Sequence, residues 1–247
     1  MDEGWTRWVL EKYGAGLRKD PCEKIYERIT DLAVIHSLQF TDLQTLIFPD
    51  QSPNQILNGY AKGTMPDEYV GGVGKEGVEN LKKFVEAGGT LVFLNRSSDF
   101  AIEQFGLPIR DVTKGLARKD FYIPGSILRT ELDLSHPIAK GMPAESIAWF
   151  EGGPAFEYYQ PNATFASPPT IWEIIPKDNV RVIASYPTDP KQILLSGWAL
   201  GAEKIAGKAA LVEVKVGKGR IILFGFRPQY RGQSLATFAL LFNAISN

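Results

Sequence analysis

Cysteine and histidine are scarce in this chain of 247 residues, which has one cysteine, Cys22, and two histidines, His36 and His136. A single cysteine excludes an intramolecular disulfide and a cysteine-rich metal site. A catalytic zinc normally takes three protein ligands, and neither histidine is followed three residues later by a glutamate. We therefore expect no bound metal and no cofactor.

A strong charge of either sign and a long apolar run are also missing. The formal net charge is −1, which does not predict a nucleic acid as partner. No apolar run approaches the roughly 18 residues that a membrane-spanning helix needs, so no membrane span is predicted. The first residues, MDEGWTRWVLEKYG, are acidic and amphipathic, which is untypical of a signal peptide. The compartment stays open.

The first half of the chain alternates buried strands with amphipathic helices. The apolar runs at 31–37, 43–50 and 90–95 predict strands. Helical spacing of apolar residues predicts helices at 2–13, 74–89 and 97–105, and residues 52–59 predict a short helix or a turn. This order is typical of an α/β fold with a mostly parallel sheet between two helix layers, as in flavodoxin-like proteins.

The second half has a different composition. Residues 107–205 are rich in proline, glycine and aromatics and carry short strand candidates near 126–133, 146–151, 155–159 and 180–187. Regular pattern returns with a β-hairpin at 208–226 and a helix at about 232–246. We expect one domain, 1–247, with a β-rich insertion at about 107–205.

The stretch GGTLVFLNRSSDFAIEQFG predicts a strand, a sharp polar turn and a helix, the arrangement that carries the nucleophile in many α/β enzymes. Ser97 and Ser98 are the nucleophile candidates at this turn. A serine needs a base within reach, and no histidine follows residue 136. Capping of the helix by Ser97 or Ser98 is the favoured alternative.

The late strand and the residues after it, IILFGFRPQ, resemble the corresponding segment of class I glutamine amidotransferases, which has a pattern like Phe-His-Pro-Glu. Arg227 stands in the place of the histidine and Gln229 in the place of the glutamate. An arginine stays protonated at working pH and cannot act as a general base. The resemblance therefore implies a degenerate site without its cysteine, histidine or glutamate.

Longer segments add a second resemblance. GTMPDEYVGGVGKEGVENLKKFVEAGGTLVFLNRSSDFAIEQFGLPIRDV and LVEVKVGKGRIILFGFRPQYRGQSLATFALLFNAI resemble the C-terminal amidotransferase-like region of bacterial M14-type zinc carboxypeptidases. That family's zinc motif lies in an upstream peptidase domain and has no counterpart here. The resemblance implies a non-catalytic accessory domain, whose expected partner is an M14-type peptidase domain or a second copy of the chain.

Polar residues follow the strands at the edge where α/β sheets bind ligands. Arg227 or Arg231 can hold a carboxylate or phosphate in a forked contact, which makes a small-anion or sugar site an alternative function. Pairing of Asp50 or Asp99 with one of these arginines is the favoured interpretation. The candidate ligand-binding residues are Asp50, Gln51, Asn95, Asp99, Arg227, Gln229 and Arg231.

Overall fold

The computed structural model describes residues 2–13, 43–159, 171–172 and 175–246. Cys22, His36 and the strand candidate at 31–37 lie outside these residues. The described α-helices are α1 Asp2–Tyr13, α2 Pro53–Asn58, α3 Gly74–Ala87, α4 Ser97–Phe105 and α5 Phe238–Ser246. None of the described helices is long and apolar enough to cross a membrane.

The ten described strands follow the predicted apolar runs and add two short ones. They are β1 Thr45–Phe48, β2 Thr90–Leu94, β3 Ile109–Asp111, β4 Pro124–Leu132, β5 Glu145–Glu151, β6 Phe156–Tyr158, β7 Val180–Ser185, β8 Leu194–Ser196, β9 Ala209–Val216 and β10 Gly219–Phe224. The sequence pattern did not predict β3 or β8. Each has only three residues, too few to show an alternating pattern, and the equally short β6 was predicted from its run of aromatic residues.

The sheet is mixed, and its main path runs β1-β2-β10-β9-β7-β4-β5. Strands β1, β2 and β10 pair in parallel, with Phe93 of β2 opposite both Phe48 and Leu223. The other described strands pair in antiparallel fashion. These are the β9–β10 hairpin and the strands of the 107–205 insertion. The predicted α/β fold with a β-rich second half is confirmed, while its sheet is mixed rather than mostly parallel.

Alternating side chains of the central strands build two apolar cores, one on each face of the sheet. Phe93 and Leu223 face α3 and α4 and pack with Phe100 and Phe105. Their neighbours along the strands face the other way and pack against α5; these are Val92, Leu94, Ile222 and Phe224, with Leu240 and Leu241 of the helix. Every residue of β2 is buried, which is typical of a central parallel strand covered on both faces. The result is the predicted three-layer arrangement.

Parallel pairing also fixes where the strands end. Phe48, Leu94 and Phe224 close β1, β2 and β10 at one edge of the sheet. The segments that follow them are therefore brought together, although they are far apart in the sequence.

Phe93 is the residue most suited to test this core. It is fully buried and its ring stacks on Phe48 at a centroid distance of 4.6 Å. We expect Phe93→Ala to lower the free energy of unfolding by about 3–5 kcal/mol, because burial is lost and a cavity remains. Urea denaturation measures this, and the exposed Leu235→Ala variant should stay within about 0.5 kcal/mol of the parent.

Candidate functional site

One carboxylate, that of Asp50, lies at the meeting point of the three parallel strands. Asp50 follows β1 by two residues and is buried, with 6% of its surface exposed. Its Oδ1 accepts hydrogen bonds from Asn95 Nδ2 at 3.0 Å, from the Arg96 backbone N–H at 3.2 Å and from Arg96 Nε at 2.9 Å. These contacts join the end of β1 to the turn that follows β2.

The second oxygen of Asp50 joins the same cluster to β10. Its Oδ2 accepts from Arg96 Nη2 at 2.9 Å, from Arg227 Nε at 3.2 Å and from Arg227 Nη2. Two guanidinium groups thus share one buried carboxylate. Of the pairings that the sequence left open, between Asp50 or Asp99 and Arg227 or Arg231, the structure forms that of Asp50 with Arg227. Arg96 is a further partner that was not predicted.

Two further acids contact Arg227. Nη1 of Arg227 lies 2.5 Å from Glu151 Oε2, and Nε lies 3.6 Å from Asp2 Oδ1 of α1. Only 12% of the Arg227 side chain is exposed. Each of the three guanidinium nitrogens therefore contacts an acid of the same chain, which leaves little of the group open to a ligand.

The arginines decide the ionisation of Asp50. Burial by itself raises the pKa of a carboxyl, but the hydrogen bonds from Arg96 and Arg227 lower the pKa of Asp50 to about 2. The pKa of Asp2 is raised by burial, against the opposing charge of Arg227. Asp50 is consequently a firmly ionised acceptor and is not suited to take up a proton near neutral pH.

The turn after β2 has one residue, Asn95, in the left-handed region of the backbone. Asn95 has a φ of 56°, one of two positive values among described residues other than glycine, and such strain is typical of functional turns. Its backbone N–H donates to Phe224 O at 2.9 Å. The residue at the strained position is therefore Asn95, whose amide is no nucleophile, and not a serine. The signal in the sequence is asparagine directly after the strand, since asparagine tolerates positive φ.

Ser97 and Ser98 are both fully buried, and neither caps α4, so the capping prediction was wrong. Arg96 holds the position before the helix, Ser97 and Ser98 are its first two residues, and no side chain makes a capping hydrogen bond there. Ser97 Oγ lies 2.9 Å from Phe48 O and accepts from the Leu94 N–H at 2.8 Å. Ser98 Oγ donates to Phe224 O at 3.0 Å. The hydroxyls thus tie the three strand ends together.

Gln229 and Arg231 lie near the cluster but take different positions. Gln229 is fully buried, and its Nε2 donates to Thr6 Oγ1 of α1 at 2.9 Å. Arg231 is exposed, with its guanidinium 5.2 Å from the ring of Tyr230. Gln51, next to Asp50, is partly exposed and outside the described hydrogen bonds. The candidates Gln51 and Arg231 are therefore not part of the Asp50 cluster.

Asp99 lies on α4, near the charge of Asp111 at the end of β3 and apart from the Asp50 cluster. Burial, and then the nearby charge of Asp111, raise the pKa of Asp99 to about 7. Asp111 accepts hydrogen bonds from Thr113 and from the Ala155 N–H. One interpretation of the sequence paired Asp99 with Arg227 or Arg231. The structure shows no ion pair between Asp99 and either of these described arginines.

The described residues give no grouping of three or more His, Cys, Asp or Glu side chains with the geometry of a metal site. His136 is buried, 3.3 Å from Glu213 Oε2 through its Nε2, while its Nδ1 accepts from the Ile138 N–H. Both nitrogens of this ring are thus engaged within the fold.

Comparisons with known proteins concern the fold. No protein-family model matches the chain, and a search of curated proteins finds no significant match. A structure described as a ThuA-like protein from Parabacteroides merdae is 15% identical with a TM-score of 0.48, over 98% of this chain and 84% of that one. One described as a GMP synthase subunit from Thermoplasma acidophilum is 13% identical with a TM-score of 0.48, over 88% and 78%.

A third solved structure, a cytoplasmic protein from Salmonella typhimurium, is 14% identical with a TM-score of 0.48, over 98% of this chain and 84% of that one. These similarities carry no argument about activity or ligands. None of the findings links the chain to M14 carboxypeptidases, so that part of the resemblance stays a prediction.

We expect Asp50→Asn to lower the free energy of unfolding by about 3–5 kcal/mol, because two buried or half-buried guanidinium groups lose their shared acceptor. The depressed pKa of Asp50 contributes stability that is complete above the unfolded value of 3.8 and is lost as pH falls through about 2. Urea denaturation between pH 2 and 7 measures both effects. Asp67→Asn, at an exposed site, is the matched control; an equal loss in the two variants would contradict the account.

Asp99 predicts the opposite pH dependence. Because its folded pKa is raised from 3.8 to about 7, its contribution is complete below pH 3.8 and is lost as pH rises through about 7. The difference in stability between Asp99→Asn and the parent should therefore favour the variant more at pH 8 than at pH 5. Thermal unfolding at the two pH values measures this, and a parallel shift at both would show that Asp99 is an ordinary carboxyl.

Proposed function

We propose that this chain is a non-catalytic interaction domain, whose amidotransferase-type position is filled by a buried ion-pair cluster. The observation that carries the proposal is the double occupation of Asp50 by Arg96 and Arg227. In the resemblance to class I glutamine amidotransferases, Arg227 and Gln229 stand for the catalytic histidine and glutamate. Asn95 occupies the strained position at which an elbow presents its nucleophile.

The chemistry of these groups supports a non-catalytic role. A guanidinium does not release its proton at working pH. The ionised carboxylate of Asp50 accepts hydrogen bonds from six nitrogen atoms, which belong to three residues. The hydroxyls of Ser97 and Ser98 are buried against backbone carbonyls, and a serine nucleophile requires a base and a path for the substrate.

The small-anion or sugar site is the second candidate, and one observation favours it. About half of the Arg96 side chain, 49%, is exposed, although its guanidinium is bonded to Asp50. A ligand carboxylate or phosphate would have to share or replace Asp50 as the acceptor. Because Asp50 is held at fixed distance by the backbone of the same chain, this exchange is unfavourable, and the interaction domain ranks first.

The partner proposed for the domain is an M14-type zinc carboxypeptidase domain or a second copy of the chain. The resemblance of the long segments around 62–112 and 212–245 supports this choice. Sedimentation velocity of the purified chain, alone and with such a peptidase domain, tests it. We expect a dimer or a heterocomplex; a monomer that binds neither would contradict the assignment of partners.

The non-catalytic role has its own test. The purified chain is assayed for glutamine hydrolysis and for p-nitrophenyl ester hydrolysis beside Ser97→Ala, Ser98→Ala and Arg227→His variants. We expect no turnover above buffer for the parent and for either serine variant. Turnover in the parent that disappears in one serine variant, with folding retained by circular dichroism, would establish the hydrolase alternative instead.

A further inference from the structure

An exposed aromatic face lies outside the Asp50 cluster, on the β-rich insertion. Tyr122 and Leu200 are joined by two backbone hydrogen bonds of 3.0 Å, and Trp198 precedes Leu200 by two residues. The indole of Trp198 is 63% exposed, the highest value among the large apolar side chains of the described residues together with Leu235. We call Tyr122, Trp198, Leu200 and the adjoining Arg118 the Trp198 face.

The backbone of Trp198 is fixed although its ring is free. The buried hydroxyl of Ser126 accepts from the Trp198 N–H at 2.9 Å and donates to the Trp198 carbonyl at 2.7 Å. Gly197 before it has a φ of 102°, and a Cβ there would lie 2.6 Å from Ser126 Oγ. The chain is thus built to present Trp198 outward from a rigid base, which lowers the entropy cost of binding.

Alternation along the two bridged segments explains which side chains face out. Phe121, Ile123 and Ala199 pack into the core beneath. Tyr122 lies between Phe121 and Ile123 in the sequence, and Trp198 and Leu200 lie on either side of Ala199. Trp198 and Leu200 are exposed. Successive side chains of extended segments point to opposite faces, so these three share the outer face.

Arg118 adds a fixed cation at the rim. Its guanidinium lies 4.1 Å from the centre of the Tyr122 ring, and its Nη2 donates to Tyr122 Oη at 2.7 Å. Among the described residues, no acid forms an ion pair with Arg118, whose described contacts are both with Tyr122. A guanidinium held in this way matches a carboxylate in a forked contact. With Lys119, two of the three charged residues at 118–120 are basic.

The strand that leads into Trp198 is also open. All three residues of β8 are exposed, and β8 pairs with β4 alone among the described strands. A free strand edge offers backbone groups to an extended segment of another chain. Leu194 and Leu195 on this edge add apolar surface next to the Trp198 face.

We propose that the Trp198 face and the edge of β8 bind an extended peptide segment with an apolar side chain over Trp198 and Leu200 and a carboxylate on Arg118. Tryptophan, tyrosine and arginine are the residue types that dominate interface energetics. The inference rests on the proposed interaction function and names the surface and the chemistry of its partner. A basic segment is disfavoured by Arg118 and Lys119, and a second copy is an outcome of the test.

The experiment is a selection from a random library of displayed twelve-residue peptides on the full chain, with counter-selection on the Trp198→Ala variant. We expect enriched sequences that combine aspartate or glutamate with an apolar residue. A synthetic peptide of the enriched sequence should then lose at least about tenfold in affinity on Trp198→Ala, and severalfold on Arg118→Ala, by fluorescence anisotropy. Leu235→Ala, at the same 63% exposure, and Lys83→Ala are the matched controls and should bind like the parent.

Four results would overturn the proposal: no enrichment, enrichment of basic peptides, equal binding by the Trp198→Ala variant, or a parent dimer that Trp198→Ala converts to monomer. The last result would identify a second copy as the occupant and would leave the interaction function intact. If the chain binds a peptidase domain and Trp198→Ala does not weaken that binding, the interaction function stands and the Trp198 face is not the surface that carries it. Thermal unfolding of each variant confirms that the fold is kept, as expected for exposed positions.

Discussion

The pairing of Asp50 with Arg96 and Arg227 is the interaction on which the carboxyl edge of the sheet depends. It joins the segments after β1, β2 and β10 around one buried carboxylate. A buried charge is tolerated only when it is paired and hydrogen-bonded, so each member of the cluster requires the others. The same interaction occupies the place where an α/β enzyme would hold its catalytic groups, and it thereby connects the stability of the fold to the proposed lack of activity.

Much of the fold was predictable, because apolar periodicity marked β2, α3, α4 and the β9–β10 hairpin. Parallel strands whose ends meet at one edge predicted a pairing of Asp50 or Asp99 with Arg227 or Arg231, but not which of these pairs forms. Asp2 and Thr6 escaped prediction, since their contacts with Arg227 and Gln229 span more than 200 residues. The roles of Ser97 and Ser98 were missed because capping is judged from the position of a helix start, which is known only to within a residue or two.

The Asp50 cluster and the Trp198 face differ in whether their charged groups are paired within the chain. At the Asp50 cluster, cations and acids of the chain are satisfied by one another, and ring contacts extend the cluster to Tyr230, which stacks on Trp149 at 4.2 Å. At the Trp198 face, a rigid backbone presents an open indole beside a cation without a described acid. A binding function is therefore better supported at the second surface, far in the sequence from the elbow that the pattern first suggested.

The measurement that tests the central claim most directly is a double-mutant cycle between Asp50 and Arg227, with Asp50→Asn, Arg227→Gln and the pair compared by urea denaturation at pH 7. If the two side chains form one buried cluster, the coupling energy should fall within the range of about 0.5–3 kcal/mol found for residues in one network. Additive losses, with a coupling energy near zero, would show that the cluster does not hold the strand ends together and would contradict the account.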